Sequence, residues 1–389
     1  MSSRMDKMIR NVKTLCVVGL MTGTLAVCGG DVPIEGGFDL GTTQAGTIDP
    51  RVEGGVVNVE VPGGAESVAL IVQGLGNNLL IAEKITAPSG KVVFDFFEDV
   101  EDNLTKTTDD IYTVIIPNNP DVAFESGQWQ VQFLSDSSSA LDINVQGFLK
   151  STPAQAKTLD INLFFVGEVE GLTAESAKTD EAFQEVLSGF EEVYGQAGIS
   201  LGATNFFDIT GSNAESFNEL DFDDAGDLVE LSGGFELAPE SLNFFFVADL
   251  TDSNSGFTQL GVSPGVPGPP GIHGTSKSGV VVNLLGFRDD PRDAVSIMAH
   301  EGGHFFGLYH TTEKNGASLD PDGVTGSDHL SDTEVCPDSA DENDDKILSA
   351  GECESFDGGN IMFTAPAVDS PRTLTSKQGG VLVKNPIIK

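Results

Sequence analysis

Residues 298–311 read M-A-H-E-G-G-H-F-F-G-L-Y-H-T and combine histidines with a glutamate at a spacing that suits metal chemistry. His300 and His304 are four residues apart, so on a helix both imidazoles project from one face and can bind one metal ion. Glu301 follows the first histidine, and its carboxylate can reach a water on the metal without being a ligand. These residues therefore predict a metal site with a general base beside it.

The residues after this pair extend the pattern. Gly307 lets the backbone leave the helix in a conformation that side chains with a Cβ disfavour, so His310 can return as a third ligand. Three neutral nitrogens and one open position are typical of catalytic zinc. The alternative is a set of ordinary core or surface histidines, but the motif uses three of the chain's 5 histidines. We expect Zn²⁺ to be bound by His300, His304 and His310, with Glu301 as the catalytic base.

The helix that carries the motif needs a rigid setting. Asp290 suits its N-cap, and Pro291 suits its first position. Upstream of it, strands alternate with a helix, which predicts an α+β domain over residues 159–389. The expected elements are strands at 159–166, 199–209, 242–247 and 279–284 and an amphipathic helix at 180–197.

The preceding part of the chain has a different pattern. Over residues 55–150, short apolar runs are separated by turn signals such as P-G-G, P-S-G and P-N-N-P. Strands at this spacing, without helical periodicity, predict an antiparallel β-sandwich. Residues 29–54 are interpreted as a tether and residues 151–158 as a linker. Because the sandwich sequence shows no catalytic constellation, we expect it to serve in binding, spacing or folding assistance.

The N-terminus indicates export. Basic residues precede an uncharged run at 14–27 that is too short to span a bilayer, which is typical of a signal peptide over residues 1–28. Its end, L-A-V-C-G, resembles a lipobox, which implies a lipid on Cys28. A lipid there would make the protein a cell-envelope lipoprotein, and ordinary cleavage with full secretion is the alternative.

The mature chain has one pair of cysteines, Cys336 and Cys353. An even number in an exported protein favours a disulfide. The alternative, a thiolate metal site, lacks the close C-x-x-C spacing of zinc ribbons.

The net charge of the chain argues against some classes of binding partner. The formal net charge is −40, with 60 acidic and 20 basic residues, which argues against nucleic acid and against anionic membrane surfaces. We expect a protein or peptide substrate, with a lipid on Cys28 as the only membrane contact.

Two further signals follow His310. Met362, in N-I-M-F, stands where a turn could pack beneath a zinc site, although an ordinary core methionine has the same signature. Residues 341–352 match the oxygen-ligand spacing of an EF-hand loop, with Lys346 in place of the usual glycine. This loop predicts Ca²⁺, with a solvated acidic loop as the alternative; the candidate ligands are Asp341, Asn343, Asp345, Ser349 and Glu352.

On these residues the chain resembles the metzincin clan of zinc peptidases, and within it the pappalysin family. The three histidines with Glu301 and Gly307 match the clan motif, and Met362 matches its Met-turn. Similarity to the family lies in G-L-Y-H-T, D-H-L-S-D-T and N-I-M. Two positions depart from the pattern: Glu334 replaces a proline, and Thr364 stands where many metzincins have an oxyanion-stabilising tyrosine.

The resemblance covers roughly residues 159–389 and implies a twisted sheet behind a zinc endopeptidase centre. By its residues alone, the strand at 279–284 could lie at an edge of the sheet, where it could take an extended peptide by strand addition, or inside the sheet. The resemblance implies that it is the antiparallel edge strand that aligns a peptide substrate, through Val280, Val281, Val282 and Asn283. The sandwich is similar to the jelly-roll accessory domains of some peptidases. The expected function is zinc-dependent hydrolysis of extracellular or cell-surface proteins. The alternative is a surface-anchored binding or adhesion protein with an inactive peptidase-like domain.

Overall fold

The computed structural model describes most of the chain. The described residues are 31–33, 44–48, 55–74, 80–98, 100–103, 108–109, 111–135, 141–151, 157–253, 256–312, 328, 330–364 and 372–389. The expected signal peptide with Cys28, most of the expected tether and residues 152–156 of the expected linker lie outside them. Among the described residues, no helix has the length and apolar character needed to cross a bilayer.

The first half of the chain forms two sheets. One sheet contains β1 (Asp31–Pro33), β3 (Val56–Val61), β10 (Gly127–Ser135), β5 (Leu80–Thr86), β6 (Val92–Asp95) and β7 (Val100–Glu101) in this order, with β8 (Thr108–Asp109) also on β5. The other contains β2 (Gln44–Ile48), β11 (Leu141–Ser151), β4 (Ala65–Gly74) and β9 (Ile111–Ile116). All pairs are antiparallel except β1 with β3.

Alternation of residue types explains how these sheets pack. In β10, Trp129, Val131 and Phe133 are buried, while Gln128 and Gln130, on either side of Trp129, point outward. Side chains of both sheets share one core, so this half is a β-sandwich. Strands β1 and β2 extend it into the stretch that the sequence assigned to a tether.

The second half is a mixed α+β domain, which confirms the predicted fold class. Its main sheet has the order β13 (Ile199–Ile209), β12 (Lys157–Val166), β15 (Ser241–Val247), β19 (Val280–Asn283) and β18 (Gly261–Val262). A smaller sheet contains β14 (Glu219–Asp221), β16 (Asp249–Asp252) and β17 (Phe257–Thr258). The described α-helices are α1 (Glu181–Gly195), α2 (Ser212–Phe217), α3 (Ala225–Glu230), α4 (Pro291–Phe306) and α5 (Ser376–Leu382).

The central strands of this sheet are buried on both faces. Leu163 and Phe165 of β12 pack in the core that includes α1 and α4. Phe164, between them, faces the opposite core and stacks on Phe245 of β15 with ring centroids 4.6 Å apart. Such a sheet gives α4 a firm surface on which to lie.

The predicted substrate edge strand is wrong in its position. Strand β19, with Val280, Val281, Val282 and Asn283, runs parallel to β15 and lies inside the sheet. The antiparallel edge strand among the described residues is β18, whose two residues pair with Val281 and Val282. Strand β18 has no signal in the sequence, because two residues next to a proline-rich stretch give no strand pattern.

Candidate metal centre

Helix α4 begins and ends as its sequence predicts. Asp290 is the N-cap and accepts a hydrogen bond from the backbone N–H of Arg292, and Pro291 occupies the first turn. Gly307 ends the helix with φ of 98°, in the left-handed region that glycine adopts without strain. The chain therefore reverses directly after Phe306 and carries His310 back toward the helix.

The three histidines converge on one point. The Nε2 atoms of His300 and His304 are 3.1 Å apart, those of His304 and His310 are 3.1 Å apart, and those of His300 and His310 are 3.2 Å apart. Tetrahedral zinc with bonds of about 2.0–2.1 Å to nitrogen separates its ligand nitrogens by about 3.3–3.4 Å. The spacing thus fits a metal ion of this size.

Hydrogen bonds on the far side of two rings fix which nitrogen faces the metal. His300 Nδ1 lies 2.7 Å from the carbonyl oxygen of Ile361, and His304 Nδ1 lies 2.8 Å from that of Leu308. A carbonyl oxygen can only accept, so each Nδ1 carries the proton and each Nε2 offers a lone pair. The lone pairs on Nε2 of His300 and His304, 3.1 Å apart, repel one another unless a cation lies between them.

The environment of His300 keeps it neutral. Burial, with a smaller contribution from His310, lowers the pKa of His300 to about 3, although the hydrogen bond to the Ile361 carbonyl acts in the opposite direction. A neutral imidazole is the form that binds a metal.

Glu301 projects from α4 beside the histidines. Burial raises its pKa to about 7, against the opposing effects of His310 and of a hydrogen bond from the backbone N–H of Ser263. A metal dication on the three histidines would lower this pKa by direct attraction. With no cation on the histidines, the carboxyl group exchanges a proton near neutral pH.

The two glycines inside the motif are there for close packing. A Cβ on Gly302 would lie 2.7 Å from the Tyr194 hydroxyl, and a Cβ on Gly303 would lie 2.6 Å from Met362 Sδ. The Tyr194 hydroxyl donates to the Ala299 carbonyl of α4 at 3.2 Å. Helix α1 and the turn at Met362 can therefore approach α4 directly beneath the three histidines.

The proline-rich loop after β18 packs against the histidine motif, a contact that the sequence pattern did not predict. The N–H of Gly268 donates to the Phe305 carbonyl at 3.0 Å, and a Cβ on this glycine would be 2.2 Å from the Phe305 ring. The Tyr309 hydroxyl donates to the Val266 carbonyl at 3.4 Å. The signal for this close approach was the repeated glycine between prolines.

Strand β18 passes directly over the helix at Glu301. A Cβ on Gly261 would lie 2.6 Å from Ile297 Cγ2 and 2.8 Å from Glu301 Cγ. Next to it, a cavity of about 140 Å³ opens above the first turns of α4. Its walls are largely apolar and include Leu260, Leu285 and Ile297.

The EF-hand-like loop at 341–352 is held by hydrogen bonds within the loop. Lys346 adopts φ of 68°, so the sharp turn forms without the usual glycine, and its N–H donates to Asp341 Oδ2 at 3.0 Å. The other candidate oxygens accept local hydrogen bonds: Asn343 from Asp345, Asp345 from Ile347, and Glu352 from Ser349. Calcium binding at Asp341, Asn343, Asp345, Ser349 and Glu352 stays a prediction.

The predicted disulfide is confirmed. Cys336 and Cys353 are joined by an S–S bond of 2.04 Å, so neither sulfur is a free thiolate for a metal. The bridge is fully buried, and the Cys336 N–H donates to Thr312 Oγ1 at 2.8 Å. It thereby fixes the segment that follows His310.

No protein-family model matches the chain, and no curated protein matches it in sequence. Among solved structures, the chain is similar to the crystal structure of metalloproteinase-II from Bacteroides fragilis. The two align with a TM-score of 0.30 and 12% identity over 62% of each chain. The alignment thus spans less than two thirds of that protein.

Proposed function

We propose that this protein is a zinc-dependent endopeptidase of metzincin type, similar to the pappalysin family. The observation that supports it best is the convergence of three imidazole Nε2 atoms within 3.2 Å of one another, with the Glu301 carboxylate on the same helix. Zinc bound there would supply a Lewis acid that polarises a carbonyl group and acidifies water. A protein or peptide is the substrate that this chemistry suits.

Glu301 moves the proton in this proposal. Its carboxylate accepts a proton as the oxygen of a water molecule attacks the carbonyl carbon of the substrate, and the Ser263 N–H holds the carboxylate in place. As the C–N bond breaks, Glu301 returns the proton to the amine nitrogen of the leaving peptide. The two half-steps leave the enzyme unchanged and consume one water.

Substrate alignment falls to β18 instead of β19. An extended peptide can pair with the exposed side of an edge strand, and β18 passes over Glu301. The apolar cavity beside it is placed to receive one side chain of that peptide.

We further propose that the chain is exported. The buried disulfide supports this, because such bonds persist in oxidising compartments. A signal peptide over residues 1–28 would direct export, with a lipid on Cys28 or full secretion as the two outcomes. Labelling of the wild-type chain by a fatty acid, and loss of the label in Cys28→Ala, would distinguish them.

The decisive variant is Glu301→Gln, which keeps the shape of the side chain and removes its basicity. We expect zinc to remain bound at one ion per chain while hydrolysis of casein or gelatin falls about 10²–10⁴-fold. Glu185→Gln, an exposed glutamate on α1, is the control for the loss of one charge. Unchanged proteolysis in Glu301→Gln contradicts the proposal. Zinc binding without proteolysis in the wild type would favour the alternative of a binding or adhesion protein.

A further inference from the structure

A pair of buried amides connects the C-terminal helix to the turn beneath the metal site. Gln378 of α5 is fully buried, and Asn360 is 6% exposed. Asn360 Nδ2 donates to Gln378 Oε1 at 2.8 Å, and Gln378 Nε2 donates to Asn360 Oδ1 at 3.0 Å. The two amides therefore form a closed, reciprocal pair.

Asn360 in turn holds one peptide group. Its Oδ1 accepts the backbone N–H of Met362 at 2.8 Å. The carbonyl of the same peptide unit, that of Ile361, accepts the Nδ1 proton of His300 at 2.7 Å. This peptide plane is fixed by Asn360 on one side and orients a metal-binding ring on the other, so a rotation would break both bonds.

The polar atoms of Gln378 leave it little freedom. Besides the two bonds to Asn360, its Oε1 accepts the Thr375 N–H at 3.0 Å, and its Nε2 contacts Asp328 Oδ2 at 3.4 Å. Both lone pairs and both amide protons thus have partners. A fully satisfied buried network holds one geometry and loses more than one bond when a member is removed.

The helix that carries Gln378 is fixed on its other side by the sandwich. Lys377 forms an ion pair with Asp121, and a Cβ on Gly380 would lie 2.7 Å from Pro120. Asp332 also accepts the Lys377 N–H at 2.9 Å. Helix α5 is therefore a fixed support for the amide pair.

We propose that Gln378 is a positioning residue for the metal centre, acting through Asn360 and the Ile361–Met362 peptide group on His300. This inference rests on the proposed metal site. It assigns to the C-terminal helix and to N-I-M a role in metal affinity, in addition to their packing. Groups that orient metal-binding histidines typically change metal affinity about 10–100-fold when they are replaced.

The test measures zinc dissociation constants by competition with a chromophoric chelator on the full chain. We expect Gln378→Met, which keeps the side-chain volume, and Asn360→Ala each to weaken zinc binding about 10–100-fold. The double variant should lose little more than the larger single loss, because both residues act as one unit. The ligand-field bands of the cobalt-substituted protein should also shift in each variant.

Asn162→Ala is the matched control. Asn162 is a fully buried amide of the same half of the chain, bonded to Ser241 and Asn243 at 2.7 and 2.9 Å, and among the described residues no hydrogen bond joins it to His300, His304 or His310. It should lower the unfolding temperature of the apoprotein and leave zinc affinity and the cobalt spectrum unchanged. Gln378→Met and Asn360→Ala with wild-type zinc affinity would overturn the inference.

A measurement on the wild type covers the case in which these variants do not fold. Coupling is reciprocal, so zinc should slow hydrogen exchange at the Met362 N–H and in α5 at least tenfold, and not in β3 or β10 of the sandwich. If the chain binds zinc but hydrogen exchange at Met362 and in α5 does not change, the inference about Gln378 is overturned and the proposed function stands. A wild-type chain that binds no zinc would overturn the proposed function instead.

Discussion

The two halves of the molecule each contain a fully buried or nearly buried asparagine, and they use it differently. In the sandwich, Asn103 donates to the Ile115 carbonyl and accepts the Asn118 N–H, so it joins two segments of one fold. In the second half, Asn360 binds another side chain and the peptide that orients His300. The amide of Asn103 therefore holds parts of the sandwich together, whereas the amide of Asn360 orients a residue of the candidate metal site.

Buried carboxylates show the same contrast. Asp95 of the sandwich pairs with Lys84 at 2.8 Å. Burial acts to raise the pKa of Asp95, but hydrogen bonds from Lys84 and from the backbone N–H groups of Phe97 and Glu98, together with the charge of Lys84, outweigh burial and lower it. Among the residues that the structure describes, no cation pairs with Asp328 of the second half, and burial raises its pKa to about 6. The sandwich thus pairs its buried carboxylate with a cation. The region around the candidate metal site instead contains a buried carboxyl group whose ionisation lowers the free energy of unfolding.

Metal removal should give the largest difference between the halves. A ligand present at about a thousandfold excess over its dissociation constant stabilises the form that binds it by about 4 kcal/mol. Chelation should therefore lower the stability of residues 157–389 by about this amount and leave the sandwich unchanged. Hydrogen exchange of each half, with and without chelator, measures it; an equal loss in both halves would show that the halves unfold as one unit.

The second-largest difference between the halves should lie in how their stability depends on pH. The folded pKa of Asp328, about 6, lies above its unfolded value near 3.8, so its protonation favours the folded state and the chain loses this stability as pH rises from about 4 through 6. A shift of about two pKa units corresponds to about 3 kcal/mol. Denaturant unfolding measures the free energy of unfolding of Asp328→Asn minus that of the wild type. This difference should be about 3 kcal/mol higher at pH 7 than at pH 4.

The contribution of Asp95 has the opposite sign. Its lowered pKa stabilises the folded state at neutral pH, and this stability is lost as pH falls. Asp95→Asn in parallel experiments is therefore the control, and the same sign for both variants would contradict the contrast.

Replacing one glycine of each half by alanine should give a smaller difference in stability. At Gly268, the added methyl group of alanine meets the Phe305 ring, so Gly268→Ala should cost about 1–3 kcal/mol and weaken zinc binding. At Gly63 of the sandwich, a Cβ meets nothing within 4 Å, so Gly63→Ala should stay within about 0.5 kcal/mol of wild type. Urea midpoints measure both changes in stability. An unchanged midpoint in Gly268→Ala would show that the proline-rich loop shifts to admit the methyl group.

Calcium should give the smallest effect. If the loop at 341–352 binds it, calcium at about ten times its dissociation constant adds about 1.4 kcal/mol to the second half and nothing to the sandwich. Glu352→Gln removes the ligand expected at the last position and should abolish the effect. An unfolding temperature of the wild type that does not respond to calcium would leave a solvated acidic loop.

Much of the fold followed from local pattern. The sandwich appeared in the alternation seen around Trp129, because burial of every second side chain needs no knowledge of distant partners. The bounds of α4 followed from Asp290, Pro291 and Gly307, whose effects are confined to one turn. Where an element depended on a neighbour, as with the two-residue strand β18, local pattern failed.

The candidate site divides in the same way. The spacing of His300, Glu301 and His304 puts them on one helical face whatever the rest of the chain does. Their protonation pattern could not be read from sequence, since it depends on the carbonyls of Ile361 and Leu308. Gln378 gave no signal either, because a glutamine in a short helix has no distinctive spacing.

The sequence by itself therefore determined the helix, its caps, the common face of His300 and His304 and the β-sandwich pattern, all of which depend on residues a few positions apart. Only the tertiary structure decided that β18 forms the edge, that Gly302 and Gly303 admit Tyr194 and Met362, and that α5 supports the turn beneath His300. These arrangements depend on contacts between residues far apart in the chain, and such contacts form only when the whole core packs.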